Sequence, residues 1–457
     1  MSSKAGVRLV WDSKGEKSEE RDFSISQCEL IYPYPIWHTD SLFSDEINIQ
    51  KNRSQEVHNR IFHGDNLEVI KVLLQEGYKE RVDLIYIDPP YLSDSQYYSR
   101  IKIAEKTWLA RPAFEDKWNY GLESYLDSLY KRLLCMKELL SERGSIFVHL
   151  DWHVSHYIKL LLDEIFLPEN FINEIVWCYS GGSGTKRHFH RKHDLILWYS
   201  RGKDYIFNPQ FRPYSRGTLE RGLTRVKGDK YSLSSQGAIM QDWWTDINKI
   251  LSPTAKENLK FPTQKPVALL KRLIATASNP GSIVADFYAG SGTSAEVCEK
   301  MGRKWIICDS SKIAVQTSKH RLIRNGVQAF KLEGIENNLG PDKKEIECSL
   351  QQPLIYEKEK DYCILLLGID SYKLLGELSE APDASIASLI DFWEVDLDYQ
   401  GGVFNSDVQI IRENYNYHNS SIPLEARVRI PRGKRKIGVR IHDILGNSSL
   451  GIIEIKI

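Results

Sequence analysis

Four consecutive residues, Asp88-Pro89-Pro90-Tyr91, follow directly on the apolar run Val82-Asp83-Leu84-Ile85-Tyr86-Ile87. Ligands of open α/β sheets bind at the carboxyl ends of strands, so a strand over 82–87 puts the tetrapeptide at the mouth of a site. Two prolines fix the backbone and remove N–H donors, leaving the Asp88 carboxylate and the Pro89 carbonyl as acceptors. Acceptors suit a substrate that offers an amino group. The lone pair of an exocyclic nucleobase amine is delocalised into the ring, and drawing its hydrogens toward oxygen favours attack by that nitrogen. Tyr91 adds a face on which a base can stack, a contact worth about 1–3 kcal/mol. The other reading is a strand-ending turn in which Asp88 caps local N–H groups.

A second group, Asp286-Phe287-Tyr288-Ala289-Gly290-Ser291-Gly292-Thr293, also ends a strand and opens a helix. Its glycines let the backbone turn tightly and approach a ligand, and the helix start offers free N–H groups. It holds two of the three glycines of a dinucleotide fingerprint, and a strand-to-helix turn without a ligand has the same pattern. Asp309 ends the next strand, where a carboxylate can bind ribose hydroxyls; with Ser310 and Ser311 it can equally cap a helix. With no Gly-Lys-Thr/Ser in the loop, a nucleoside without phosphates fits better than a nucleoside triphosphate.

These residues need βα units to position them, and from Arg60 short apolar runs do alternate with amphipathic stretches, the sign of a largely parallel sheet. Strands are predicted at 61–63, 82–87, 145–150, 171–177, 194–199, 283–287 and 305–308. Helices are predicted over 153–166, from Pro266, over 293–301 and over 313–324. Residues 1–58 read as an arm with a strand-like stretch at Val7 to Trp11, and 329–360 as a polar linker. The short β-rich runs of 361–457 read as a small β-sandwich. The 457 residues suffice for two or three domains, and 61 Lys and Arg balance 61 Asp and Glu. The charge is unevenly placed: Trp177 to Lys265 carries sixteen Lys or Arg against seven Asp or Glu, an excess of nine positive charges. No apolar run reaches the eighteen or so residues of a membrane span, and the first residues lack a secretory apolar stretch, so a cytoplasmic protein is expected. Seven scattered cysteines without a CxxC pair argue against a disulfide framework and a zinc site. His188, His190 and His193 lack the companions of a metal site, and no metal is expected.

Asp88-Pro89-Pro90-Tyr91, then Phe261-Pro262-Thr263-Gln264-Lys265-Pro266, then the Phe-Tyr-Ala-Gly-Ser-Gly-Thr run ending at Thr293 together resemble the amino-methylating DNA methyltransferases. Their order, catalytic motif first and cofactor motif last with a target-recognition region between, is similar to the β class, which includes the Mod subunits of type III restriction systems. The runs Gly144 to Asp151, Leu161 to Phe166 and Glu169 to Trp177 add to the likeness, which extends from about Asn59 to Leu322.

The resemblance implies a Rossmann-like methyltransferase domain over 59–328, with a target-recognition insert at about 178–260 and S-adenosyl-L-methionine as cofactor. Asp88, Pro89, Pro90 and Tyr91 would hold the target base. Asp286, Phe287, Ala289, Gly290, Gly292 and Thr293 would line the cofactor site, Asp309 would take the ribose, and Thr263 and Lys265 would lie near the methionine end. Asp65 would reach the cofactor adenine, or form an Asx turn. Phe287 and Tyr288 stand where the family often has Pro-Phe. A leading Asp in the tetrapeptide usually goes with N6 of adenine and a leading Ser with N4 of cytosine. The reaction implied is direct methyl transfer to a base flipped out of duplex DNA, in a restriction-modification or related defence system. The basic insert would face phosphates through Lys186, Arg187, Arg191, Lys192, Arg212, Arg216, Arg221 and Arg225. A homodimer and a restriction or helicase subunit are the expected partners besides double-stranded DNA. An N4-cytosine or RNA enzyme, or a non-catalytic specificity subunit, are the competing readings. Gly438 to Asn447 resembles the last strands of PKD-like immunoglobulin-fold modules, which implies an accessory role for 361–457, with Arg427, Arg429, Arg432, Lys434, Arg435 and Lys436 as further DNA contacts, or a stability cap.

Overall fold

The computed structural model describes residues 7–15, 24–36, 53, 56–104, 107–182, 186–223, 233–252, 255–335, 348–358, 362–373, 385–412 and 421–456. Its centre is a mixed sheet of eleven strands. In chain order these are β1 (Ile25–Ile31), β2 (Asn59–His63), β3 (Val82–Ile87), β4 (Leu140–Leu150), β5 (Phe171–Cys178), β6 (His193–Ser200), β7 (Trp243–Trp244), β8 (Ile283–Asp286), β9 (Lys304–Asp309), β10 (Phe330–Ile335) and β11 (Phe404–Ser406). Across the sheet they run β7-β5-β6-β4-β3-β8-β9-β2-β10-β1-β11. The inner six, β4 to β10 in that order, are parallel, with Ile85 opposite both Ile146 and Ala285, and Ala285 opposite Ile306.

The period of two along β3 explains why this strand sits at the centre. Leu84 and Tyr86 join the apolar cluster on one face, with helices α4 (Val267–Ala277) and α5 (Thr293–Lys300). Ile85 and Ile87 join the cluster on the other, with α1 (Asn66–Gln75), α2 (Gly121–Leu139) and α3 (Ser155–Phe166). A strand apolar on both sides must be covered twice, as parallel sheets are. A hairpin of Ser95–Lys102 and Trp108–Asp116, which the sequence reading did not foresee, stands outside this sheet.

Three expectations about the ends of the chain are corrected. Ile25–Ile31, placed in an arm, is a strand antiparallel to β10, and Pro35–Ile36 pairs with Val408–Ile411. Val7 to Trp11 forms no strand and is held by side chains instead: Lys14 bonds Glu164 at 2.6 Å and lies over the Trp11 and Tyr130 rings. Phe330–Ile335, placed in a linker, is β10, parallel to β2. Its Glu333 looks like a surface residue but is buried against Arg60 at 2.6 Å.

The C-terminal strands form two sheets. Tyr362–Tyr372 pairs with Cys348–Leu350, Leu354–Lys358 and Glu425–Pro431, while Ile390–Asp396 pairs with Val408–Ile411 and Lys434–Asp443, which pairs with Ser448–Lys456. The inward residues of both sheets share one apolar cluster with the central sheet and with α6 (Lys312–Arg324), and β11 extends the central sheet directly. Four elements also meet in a buried ion cluster. The Lys319 ammonium bonds Glu29 at 2.8 Å and Glu394 at 2.7 Å; Arg440 bonds Glu29, and His442 bonds Glu394 at 2.9 Å. Burial pushes the Glu394 carboxyl up, yet Lys319 and His442 outweigh it and hold the group well below the usual carboxylate range. Such a group stabilises the fold above its unfolded value, and the contribution is lost as pH falls through the folded one. No helix among the described residues is long and apolar enough to cross a membrane.

Removing one member of a buried ion cluster strands its partners. Lys319→Met leaves Glu29 with Arg440 as its cation and Glu394 with His442 and the Ser406 hydroxyl, so urea unfolding should show a loss of about 3 kcal/mol. A change within experimental scatter would mean that the cluster does not hold the C-terminal sheets to α6.

Candidate active site

Four neighbouring parallel strands, β3, β8, β9 and β2, end in Asp88, in the glycine turn, in Asp309 and before Asp65. Parallel pairing brings these carboxyl ends to one edge, where a pocket of about 490 Å³ opens. Asp65, Asp88, Pro89, Pro90, Tyr91, Thr263, Lys265, Asp286, Phe287, Ala289, Gly290, Thr293 and Asp309 all line it. Gly292, in the same turn, is not among the lining residues.

The glycine turn needs its glycines. Gly290 and Gly292 have φ of +52° and +71°, the left-handed region, and a Cβ on Gly292 would lie 2.8 Å from the Ser318 hydroxyl of α6. The same helix fastens the turn: Ser318 donates to the Gly290 carbonyl at 3.0 Å, and Arg321 donates to the Ser291 carbonyl at 3.0 Å and the Thr293 hydroxyl at 2.7 Å. From β9, Asp309 accepts the Gly290 N–H and the Ser311 N–H, both at 2.9 Å, while Ser311 caps α6. Asp286 accepts from the Ser294 hydroxyl at 2.6 Å and the Tyr288 N–H at 3.1 Å. Asp65 caps α1 by accepting the Leu67 N–H at 2.8 Å and pairs with Arg132, whose Nε reaches Asn66. Asp65 and Asp309 therefore organise their turns and also line the pocket.

At Asp88 one oxygen accepts the Tyr91 hydroxyl and the other the Lys265 ammonium, which also lies 5.6 Å from the Tyr91 ring centroid. Burial, then the Asp88 charge, pushes the Tyr91 phenol well above its ordinary value, so it stays neutral. The turn after Tyr91 is strained: Leu92 and Asp94 adopt φ of +60° and +51° without being glycine. It is held by Asp116, at the end of the hairpin, which accepts the N–H groups of Tyr91, Leu92 and Ser93 at 3.1, 3.1 and 2.7 Å, the Ser93 hydroxyl at 2.7 Å and the Trp118 indole at 3.0 Å. Beneath Tyr91 lies His149, stacked at 29° with its centroid 6.5 Å away; its ring nitrogens contact the Tyr86 hydroxyl at 3.0 Å and Asp194 at 3.2 Å.

Asp116, Arg132, His149 and Asp194 were not singled out from sequence. Asp116 and Arg132 belong to no motif. His149 lies in the Gly144 to Asp151 run, where its place among apolar residues was the available signal. Among the described residues, none of the basic residues singled out in the insert lines the pocket. Lys186, Arg187 and Arg191 are exposed on the loop between β5 and β6, where Lys192 bonds the Gly181 carbonyl. Arg212 bonds Gln241 at 2.6 Å, and Arg216 pairs with Glu220 at 2.8 Å along one helix. Arg225 and the Arg221 side chain lie outside the described residues. Among the described residues no cluster of three or more His, Cys, Asp or Glu could hold a metal ion.

Residues 82–320, just over half of the chain, match the sequence profile of the DNA methylase family. The chain belongs to this family. Curated relatives include the Type II methyltransferase M.EcaI of Enterobacter cloacae, 28% identical over 59% of this chain and 71% of that protein. The DNA adenine methyltransferase YhdJ of Escherichia coli (strain K12) is 28% identical over 57% of this chain and 82% of its own. The type III EcoP15I Mod subunit of Escherichia coli is 26% identical over 36% of this chain and 28% of the subunit. Among solved structures, the M1.HpyAVI-SAM complex is 23% identical over 57% of this chain and 98% of that one, with a TM-score of 0.39.

The substrate of a DNA methylase is DNA, and the family's methyl donor is S-adenosyl-L-methionine. The pocket fits such a group: the positive-φ glycine turn keeps side chains out of the floor, Asp309 and Asp65 offer acceptors, and no lysine of a phosphate loop is present.

Burial raises Asp286 to about 7 and Asp309 to about 6, from 3.8. Between those values the folded chain keeps protons that the unfolded chain has given up, so this share of stability falls as pH rises through the window. Asp286→Asn, whose amide oxygen can accept the Tyr288 N–H while its amide nitrogen donates to the Ser294 hydroxyl oxygen, should make thermal stability less steeply dependent on pH from 3.8 to about 7 than in the unaltered chain. Superimposable pH profiles would sink the assignment.

Proposed function

We propose that the protein is a site-specific DNA methyltransferase that moves a methyl group from S-adenosyl-L-methionine to N6 of an adenine flipped out of double-stranded DNA, in the cytoplasm, as part of a restriction-modification or related defence system. The observation that carries this is the pair of Asp88 oxygens and the Tyr91 ring beside the glycine turn, at the ends of adjacent parallel strands.

Each residue has a role in that reaction. Tyr91 receives the base by stacking. Asp88 and the Pro89 carbonyl accept the amino hydrogens, directing the nitrogen lone pair away from the ring. Gly290, Asp309 and Asp65 would hold S-adenosyl-L-methionine, whose sulfonium would supply an electrophilic methyl group and leave as the neutral thioether. Asp88 is placed to take the proton that N6 sheds. Lys265 neutralises Asp88 until the amino group arrives. Asp116 keeps the strained turn in shape, which matters because catalysis here rests on alignment. Adenine is preferred over cytosine because of the leading Asp of the tetrapeptide.

Phosphates are met by the basic insert, through Lys186, Arg187, Arg191, Lys192, Arg212, Arg216, Arg221 and Arg225. Residues 361–457 form a PKD-like or immunoglobulin-like accessory sandwich that backs α6. The protein works as a homodimer, with cleavage or translocation left to a separate restriction or helicase subunit.

Labelled methyl transfer to unmethylated genomic DNA, followed by nucleoside mass spectrometry, tests the proposal. N6-methyladenine should form, and Asp88→Ala or Tyr91→Ala should reduce it by about 100-fold or more. N4-methylcytosine would overturn the base assignment, and no product despite DNA binding would favour a non-catalytic subunit. Asp116→Ala should slow transfer by about 10- to 100-fold through misalignment while cofactor affinity, measured by calorimetry, stays within about twofold. A parallel loss of affinity would show that Asp116 supports the whole pocket instead.

A further inference from the structure

Flipping a base leaves a gap in the duplex, and the neighbouring pairs lose a stacking partner. Enzymes and architectural proteins that distort DNA often fill such a gap with an apolar side chain. None of the residues assigned so far can do this, since Tyr91 lies inside the pocket.

The loop between β5 and β6 presents a residue suited to it. Phe189 is 98% exposed, the most exposed of the described large apolar side chains. Water is a poor environment for a bare phenyl ring, which does nothing for the fold there. Lys186, Arg187 and Arg191 surround it in sequence, so the tip joins a ring to phosphate-seeking cations.

Its position follows from strand pairing. β6 runs antiparallel to β4, with Leu195 opposite Leu150, so the loop before β6 projects from the same edge as Asp88. The Tyr179 N–H bonds the Lys192 carbonyl at 2.9 Å and closes the base of the loop. The Arg191 guanidinium lies 3.8 Å from the centroid of Trp152, just past the end of β4, so that indole, 42% exposed, is engaged on one face by a cation, whereas Phe189 is bare. Asp194 ties the loop to the base pocket: it accepts the Tyr179 hydroxyl at 2.9 Å and contacts His149, the ring under Tyr91.

We infer that Phe189 is the wedge that enters the duplex when the target base leaves it. This rests on the methyltransferase reading and adds to it the residue that holds the flipped state open.

The test uses the full chain and a synthetic duplex carrying the sequence found modified in genomic DNA, with the target adenine facing either thymine or an abasic position. An abasic partner removes the pairing that must be broken, so the wedge matters less there. Phe189→Ala should lower the single-turnover methylation rate on the paired duplex by at least about tenfold and come back to within about twofold of the unaltered chain on the abasic duplex. Phe189→Trp, which restores a stacking ring, should regain part of the paired-duplex rate. Equal losses on both duplexes, or no loss on the paired one, would overturn the inference. If the unaltered chain methylates no DNA at all, the methyltransferase reading fails and the wedge fails with it.

Discussion

Parallel pairing of β3, β8, β9 and β2 is the constraint on which the rest depends. Parallel strands advance in the same sense, so residues far apart in the chain, from Asp65 to Asp309, reach one edge without any contact of their own. Such strands need cover on both faces, and this accounts for the helices on each side and for the runs that read as continuous apolar segments. The loops at the edge are then free to carry chemistry, because the sheet and not the loops holds the register.

α6 carries this order further. One side, through Ser318 and Arg321, fastens the glycine turn, while Lys319 anchors the C-terminal sheets and the N-terminal strand. The glycine turn is thus a shared element: its shape is set by a helix that both the N-terminal strand and the C-terminal sheets hold in place. The C-terminal region shares a core with the catalytic sheet and is not tethered to it only by a linker.

Much of the inner sheet and of the pocket was legible in the sequence because two local signals coincide there. Apolar runs mark strands buried on both faces, and Asp88-Pro89-Pro90-Tyr91 or Gly290-Ser291-Gly292 mark turns that few other residues can form. What escaped is what depends on distant pairing. Glu333 and Arg60, Glu29 and Lys319, and Asp194 and His149 are charged or polar residues that read as surface until their partners are known. The misassigned arm and linker follow from that: strands whose buried charges are neutralised elsewhere look like solvated coil. Asp116 escaped for a related reason, since its task is defined by backbone N–H groups that any sequence offers.

The occupied state of Asp88 bears on discrimination. In the proposed reaction, Tyr91 and Lys265 each hold one Asp88 oxygen, so a base engages Asp88 best when it brings hydrogens that can replace those donors. Adenine and cytosine carry such an amino group and can trade places with a resident donor. Thymine has a carbonyl oxygen where cytosine carries its amino group, so at that position it brings no hydrogen to trade and leaves the resident bonds intact. Rejection of the wrong base then needs no clash and leaves no stranded charge; it follows from an exchange in which the wrong base has nothing to offer.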